Sequence, residues 1–341
     1  MTAAAARPRL RKVVAAPDKF KGTLTATEVA TAIGHACWEL DLECVEVPMA
    51  DGGDGLLDAL GGANRESVVT GPLGDPVRAT WRYSKGVAVI EMARASGLVV
   101  AGGAEGNDPI AATTAGTGEL IDRALDAGAK RIIVGLGGSA TSDGGFGAVR
   151  SIAGIARLAN VELLVACDVT TRFGDAAAVF GPQKGASPAQ VRLLTNRLTR
   201  LAEMYAEEFG TDVTDIPGGG AAGGLGGALA AVGGRLVPGV ELVADELDLF
   251  DHLDGADLVV TGEGRLDATS FDGKVVGGVL EIAAAEGIPV AAVVGDIADD
   301  TEIDGLRSVA SLVERFGHDR AVNEPKACVE AATRSLLVSE L

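Results

Sequence analysis

Short apolar, β-branched runs recur along the chain, each closing on a Gly or Asp cluster and followed by residues at helical spacing. They are Lys12 to Ala16, Cys44 to Met49, Ile132 to Leu136, Val161 to Cys167, Leu258 to Thr261 and Pro289 to Val294. That alternation predicts α/β architecture with mostly parallel sheets and flanking helices. Two helices are well signed at their starts. Thr25-Ala-Thr-Glu28 forms a capping box ahead of Val29, Ile33 and Cys37. Ser187-Pro188 opens a run in which Val191, Leu194, Leu198, Leu201 and Tyr205 keep helical spacing until Gly210.

Between Glu66 and Met92 the pattern changes to alternating strands, with Pro72-Leu-Gly-Asp-Pro76 and Ser84-Lys-Gly86 as turns. An antiparallel element therefore opens a second domain, with a boundary near residue 65. Gly218 to Gly227 (GGGAAGGLGG) is locally low in complexity, but Ala228 to Val232 continues an apolar helical run. Its glycines are read as permitting close backbone approach rather than disorder.

Composition narrows the choice of partners. At 341 residues and 47% hydrophobic content, the chain can bury a sizeable core and is expected to divide into two domains. A net charge of −19 argues against nucleic acid or an anionic membrane as partner, since both need a broad basic face. Cys37, Cys44, Cys167 and Cys328 show no CxxC spacing and there are three histidines, which suggests neither a zinc site nor a disulfide framework. A soluble protein of a reducing cytoplasm is the expectation. The residues from Met1 to Lys12 are read as a frayed tail, since the apolar run after them is too short for a secretory signal.

Carboxylates fall repeatedly just past an apolar strand: Asp18, then Asp51 and Asp54, Asp143, Asp168, and Glu263 with Asp267. In open parallel sheets ligands sit outside the carboxyl ends of strands, so five loops would bring carboxylates to one rim. Such a cluster repels itself unless it holds a cation, which points to Mg²⁺ with a phosphorylated substrate. Asp residues after strands also make turns and helix caps, and that reading competes at each position. Lys19, Lys21, Arg94, Lys184, Arg265 and Lys274 supply positive charge in the same loops. Such charge suits phosphoryl transfer, a reaction catalysed chiefly by positioning and electrostatics.

The stretch Gly135 to Gly145 (GLGGSATSDGG) offers bare backbone amides after a strand, with a helical pattern behind it, a combination that holds phosphate without a basic side chain. No G-x-x-x-x-G-K-[ST] occurs. Gly218, Gly220 and Gly223 satisfy G-x-G-x-x-G, but no convincing strand precedes them. Gly-x-Ser-x-Gly is absent too, and His35, His252 and His318 support no hydrolase triad.

Taken in order, several loops resemble those of the bacterial glycerate kinase family. They are Ala16-Pro-Asp-Lys-Phe-Lys21, Pro48-Met-Ala-Asp-Gly-Gly-Asp-Gly55, Gly137 to Gly145, Ala166-Cys-Asp-Val-Thr170, Phe180 to Gly185, Gly220 to Gly224, and Thr261-Gly-Glu-Gly-Arg-Leu-Asp267 with Gly273-Lys274. The resemblance implies transfer of the γ-phosphoryl of ATP, with Mg²⁺, to D-glycerate or a similar small hydroxy acid. It also implies two α/β domains with the site between them: residues 1–65 plus 285–341 as a discontinuous domain, and 66–284 as a central, flavodoxin-like one.

The expected catalytic set is Asp18, Lys21, Asp51, Asp143, Asp168, Glu263, Asp267 and Lys274. One carboxylate acts as base, and Lys21, Arg265 or Lys274 holds phosphate or the substrate carboxylate. Cofactor contacts are expected at Gly137, Gly138, Ser139, Thr141, Gly144, Gly223, Gly224 and Arg265, and metal contacts at Asp143, Asp168 and Glu263. Against the family's usual pattern, Lys19 replaces Ser, Asp54 replaces Glu, Ser142 and Thr171 replace Asn, Thr269 replaces a Gln-like residue and Val276 replaces Pro. The segment Phe146 to Asn160 is also short. These departures motivate a second reading, a catalytically silent relative that binds nucleotide or sugar acid as a regulator. Whether the protein is a monomer or a homodimer stays open.

Overall fold

The computed structural model describes residues 10–299 and 301–341, so most of the expected N-terminal tail lies outside the described residues. In chain order the strands are β1 (Lys12–Ala15), β2 (Glu43–Glu46), β3 (Arg65–Thr70), β4 (Pro76–Ser84), β5 (Val87–Glu91), β6 (Arg131–Gly135) and β7 (Glu162–Ala166). Then follow β8 (Arg235–Val237), β9 (Leu258–Thr261), β10 (Arg265–Leu266), β11 (Val290–Val294), β12 (Asp296–Ile297) and β13 (Ser308–Ser311). The chain divides into two compact units, a discontinuous one running up to Ala50 and resuming at Val243–Leu341, and a central one, Asp51–Leu242.

The discontinuous unit carries a five-stranded sheet of order β13-β11-β9-β1-β2. Every pairing in it is parallel, with Val14 opposite both Val45 and Val259, and Val260 opposite Ala291. Strands of a parallel sheet are covered on both faces and so read as continuous apolar runs, as Val13, Val14, Ala15 and Val290 to Val294 do. The helix Ala26–Glu39 packs with the last helix, Pro325–Glu340, and Ile33, Cys37, Cys328, Leu336 and Leu337 share its core. Thr25 and Glu28 form the expected reciprocal cap. Numbered within this unit alone, the strand order is 2-1-3-4-5, the flavodoxin-like order, and it reverses between β1 and β9.

In the central unit the sheet runs in chain order, β3-β4-β5-β6-β7-β8. Its first three strands are antiparallel and β5 to β8 are parallel. Ile90, Ile132, Val134 and Val165 meet Leu120, Ile121, Leu225 and Leu229 in one core. The helix Pro188–Phe209 has its capping box at Ser187 and Gln190 and ends at Gly210, at φ 71°. Beneath it a second core gathers Phe173, Leu194, Leu198 and Tyr205, with the Phe173 and Tyr205 rings edge to face at 6.1 Å.

Three expectations are revised. The sequence boundaries at 65 and 285 become 50 and 242, because β9 pairs with β1 and β11 and so belongs to the discontinuous unit. The flavodoxin-like order lies in that unit and not in the central one, where consecutive strands are neighbours. The helix after GLGGSATSDGG is only Phe146–Ser151, six residues long, too short to present a dipole of consequence. Among the described residues, no helix is long and apolar enough to cross a membrane.

Candidate active site

Two rims collect the predicted residues, one in each unit. In the discontinuous unit they surround the strand-order reversal, the point at which open α/β sheets bind ligands. Asp18 follows β1 and Glu263 follows β9, and the Asp18 amide donates to the Gly262 carbonyl at 2.8 Å. Asp18 Oδ1 accepts from the Lys19 amide at 2.7 Å and stands 3.5 Å from Lys19 Nζ. Asp267 caps the turn Ala268–Phe271, accepting from the Thr269 amide at 2.8 Å. Hydrogen bonds from Thr269 hold its carboxyl below the usual carboxylate range. Lys274 Nζ donates to Thr269 Oγ1 at 2.6 Å. Lys21 and Arg265 are exposed.

Glu263 differs from its neighbours. It is 8% exposed, and its Oε1 is buried with no hydrogen-bond partner. Burial pushes its carboxyl up to about 7, and the charges of Asp18 and Asp267 push the same way, against the Ser270 hydroxyl and Lys274.

In the central unit the loop GLGGSATSDGG is fixed from several sides. Lys184, 2% exposed, donates from Nζ to Ser139 Oγ at 2.8 Å and to the Thr141 carbonyl at 2.6 Å. Burial pulls this ammonium down to about 8, although the Asp143 charge favours it. Asn107 Nδ2 ties the Ala140 and Lys184 carbonyls together. The main chain of Gly223 lies so close that a Cβ there would stand 2.0 Å from the Thr141 carbonyl oxygen. At the loop's other end, Gly137 meets the Asp51 to Gly55 loop, and a Cβ on it would come within 2.6 Å of Gly53 Cα. The amides of Gly137, Gly138 and Ser139 enter no backbone hydrogen bond among the described residues, and Gly138 is exposed. Those three amides are the part of the expected phosphate cradle without a main-chain partner, although Ser139 itself is buried.

Other residues of the loop serve its shape. Asp143 Oδ2 accepts from the Thr114 amide at 2.8 Å, Thr114 Oγ1 at 2.9 Å and the Gly147 amide at 3.1 Å, while Oδ1 accepts from Gly145. Asp143 is thus a loop-binding carboxylate with both oxygens occupied, as in the capping alternative. Thr141, Gly144, Gly223 and Gly224, expected to touch cofactor, are buried against one another. Asp168 Oδ1 accepts from the Gly239 amide at 2.8 Å and Asp51 Oδ1 from Gly53 at 3.1 Å, both half-buried. Ser142 is buried, its hydroxyl without a partner.

The expected magnesium ligands fare accordingly. Among the described residues no group of three or more His, Cys, Asp or Glu side chains is placed to hold a metal ion. Asp143 has both oxygens taken by hydrogen-bond donors, and Asp168 Oδ1 holds a backbone amide.

One organising residue escaped the sequence reading. Glu91, 2% exposed at the end of β5, accepts from the Gly55 and Leu57 amides at 3.0 and 2.9 Å and from Arg94 Nε at 2.8 Å. The pattern that singled out the other carboxylates, an acid ending an apolar strand, was present in Val87-Ala-Val-Ile-Glu91.

Carboxylates and lysines at a switch point in one unit, and a glycine loop with amides lacking main-chain partners in the other, suit an α/β phosphotransferase. Residues 13–156 and 152–339 match the model of the glycerate kinase family. The chain is 42% identical to the glycerate 2-kinase of Escherichia coli K12, over 90% of this chain and 91% of that protein. It is 37% identical to the glycerate kinase of Bacillus subtilis 168, over 96% of this chain and 100% of that one. A crystal structure assigned as glycerate kinase 2 from Salmonella typhimurium LT2 superposes with a TM-score of 0.84 at 39% identity, covering 96% of this chain and 98% of its own. The chain belongs to the glycerate kinase family.

Proposed function

We propose that this protein transfers the γ-phosphoryl group of ATP to a hydroxyl of D-glycerate, with 2-phosphoglycerate as product. The observation that carries the reading is membership of the glycerate kinase family over residues 13–339, a span that includes every loop described above. The E. coli relative named glycerate 2-kinase supports the 2-phospho product over the 3-phospho isomer.

Within that reading the amides of Gly137, Gly138 and Ser139, without main-chain partners, hold phosphate oxygens on a loop already fixed by Lys184 and Asp143. Lys21, Arg265 and Lys274 are the cations for phosphate or the substrate carboxylate. Lys274 is the one whose ammonium is already oriented, by Thr269. Magnesium arrives with the nucleotide, coordinated mainly by phosphate oxygens and water, as is usual for this ion. No side chain is assigned to it. The cytoplasm, where ATP is abundant, is the proposed location.

Coupled measurement of ADP release from Mg-ATP with D-glycerate, followed by NMR of the product, tests the proposal. D-glycerate-dependent ADP release with phosphate on the 2-hydroxyl is expected. No ADP above background with D-glycerate or a panel of hydroxy acids, while ATP still raises the melting temperature, would establish the silent regulatory relative instead.

A further inference from the structure

Resting on the kinase reading, we infer that Glu263 is the general base, and that its Oε1 receives the proton of the attacking hydroxyl. Buried polar atoms in folded proteins are nearly always hydrogen-bonded, because an unpartnered one forfeits its solvation. Glu263 Oε1 breaks that rule, and it does so after β9, beside the strand-order reversal. The atom is closed to solvent, and a hydroxyl donor from the substrate would satisfy it once the side chain is uncovered.

Each of the other candidate carboxylates accepts at least one backbone amide. Asp18 holds the Lys19 amide, Asp267 caps its own turn, Asp51 and Asp168 hold backbone amides, and Asp143 accepts from Thr114, Gly145 and Gly147. The backbone around Glu263 is held firmly, as a base needs. Its own carbonyl accepts from the Gly295 amide at 3.0 Å, and the Gly264 carbonyl accepts from Asp296 at 3.1 Å. A Cβ on Gly262 would fall 2.0 Å from the Val293 carbonyl oxygen, so that glycine lets the loop lie against β11.

Charged groups act on this position from two neighbouring segments, Asp18 from the loop after β1, and Asp267 and Lys274 from the segment after β10. With burial they place the proton affinity of Glu263 near neutrality, where a general base is most effective.

In the step itself the O–H bond of the acceptor breaks and its proton passes to Glu263 Oε1. The oxygen's electron pair forms the new bond to the γ-phosphorus. The bond from that phosphorus to the β–γ bridging oxygen breaks, its pair leaving with the nucleoside diphosphate. Glu263 then releases the proton to water.

The test is steady-state kinetics of wild type, Glu263→Gln and Glu263→Asp between pH 5.5 and 9, with D-glycerate and Mg-ATP varied separately. Glu263→Gln should lower kcat by about 10²- to 10⁴-fold with little change in either KM. Wild-type kcat should climb with pH to a plateau above about 7, a limb absent from the residual activity of the Gln variant. Glu263→Asp should lose rate yet keep the limb, and it carries the test if the Gln variant does not fold. A Gln variant with kcat within threefold of wild type would overturn the assignment while leaving the kinase reading intact. So would a rate recovered at high Mg²⁺, which would make Glu263 a metal ligand. A wild type that releases no ADP would overturn both.

Discussion

Lys184 Nζ lies 2.6 Å from the carbonyl oxygen of Thr141, the same carbonyl against which the main chain of Gly223 is pressed. A buried ammonium thus fastens the glycine loop from below, where no solvent competes. Lys184→Met should raise KM for ATP about tenfold or more, the equivalent of one charged hydrogen bond, and Lys184→Arg should not restore it because the larger, flat guanidinium does not fit the buried space of one ammonium. Steady-state kinetics on the two variants check this.

The same lysine carries a stability signature. Its folded-state proton affinity is lowered to about 8 from 10.5, so between those pH values the unfolded chain binds more protons than the folded one. Wild-type stability should therefore rise relative to Lys184→Met as pH increases from about 8 to 10.5. Urea titrations at pH 7.5, 9 and 10.5 measure the difference, and a flat difference would contradict the burial of a charged amine.

Glu263 works in the opposite sense. Its folded-state value is raised to about 7 from 4.5, so the folded protein holds the extra proton between those limits and loses stability as pH rises through them. Glu263→Gln removes that penalty. The variant should melt higher than wild type at pH 8 and close to it at pH 4.5, which differential scanning at the two pH values will show.

Asp143→Asn keeps one oxygen but replaces the other by a donor facing the donors of Thr114, Gly145 and Gly147. A loss of about 1–3 kcal/mol is expected from the buried amides left without an acceptor. Activity should fall together with stability, at all Mg²⁺ concentrations alike. Chemical denaturation with parallel Mg²⁺ titrations distinguishes this from the loss of a metal ligand.

Gly223 and Gly210 share φ +71°, but a Cβ on Gly223 would meet the Thr141 carbonyl at 2.0 Å whereas one on Gly210 would meet nothing within 4 Å. Gly210→Ala should cost about 1–2 kcal/mol, the left-handed strain alone. Gly223→Ala should cost more than that and disrupt ATP binding as well, as denaturation and nucleotide-dependent melting shifts would show.

Much of the architecture was legible because its signals are local. The apolar runs that became β1, β2, β6, β7, β9 and β11, and the caps at Thr25 and Ser187, each lie within a few residues of chain. Strand order was not legible. That β1 sits between β2 and β9 depends on pairing across more than two hundred residues, and the central placement of a flavodoxin-like order rested on the family resemblance alone. The three-residue β8 is too short to carry a periodic signal, and β13, Ser308–Ser311, has serine at both ends and only two apolar residues between them.

In the candidate site, residue types were readable but burial was not. Asp143 looked like its sister carboxylates until its oxygens were found occupied, and Lys184 looked like one more loop cation until it was found buried against Ser139 and Thr141. The glycine excess has two sources that composition cannot separate, open amides at Gly137 and Gly138 and close packing at Gly144, Gly223 and Gly224.

The placement of Asp51–Leu242 inside the chain of the other unit also sets the order in which the protein can assemble on the ribosome. The central unit is contiguous and can fold as soon as it has emerged. Until Leu258 to Thr261 is synthesised, β1 has only β2 as a neighbour, and its second edge, Val13 to Ala15, waits unpaired. Nascent chains stalled before residue 258 should therefore contain a finished central unit tethered to an adhesive two-stranded stub.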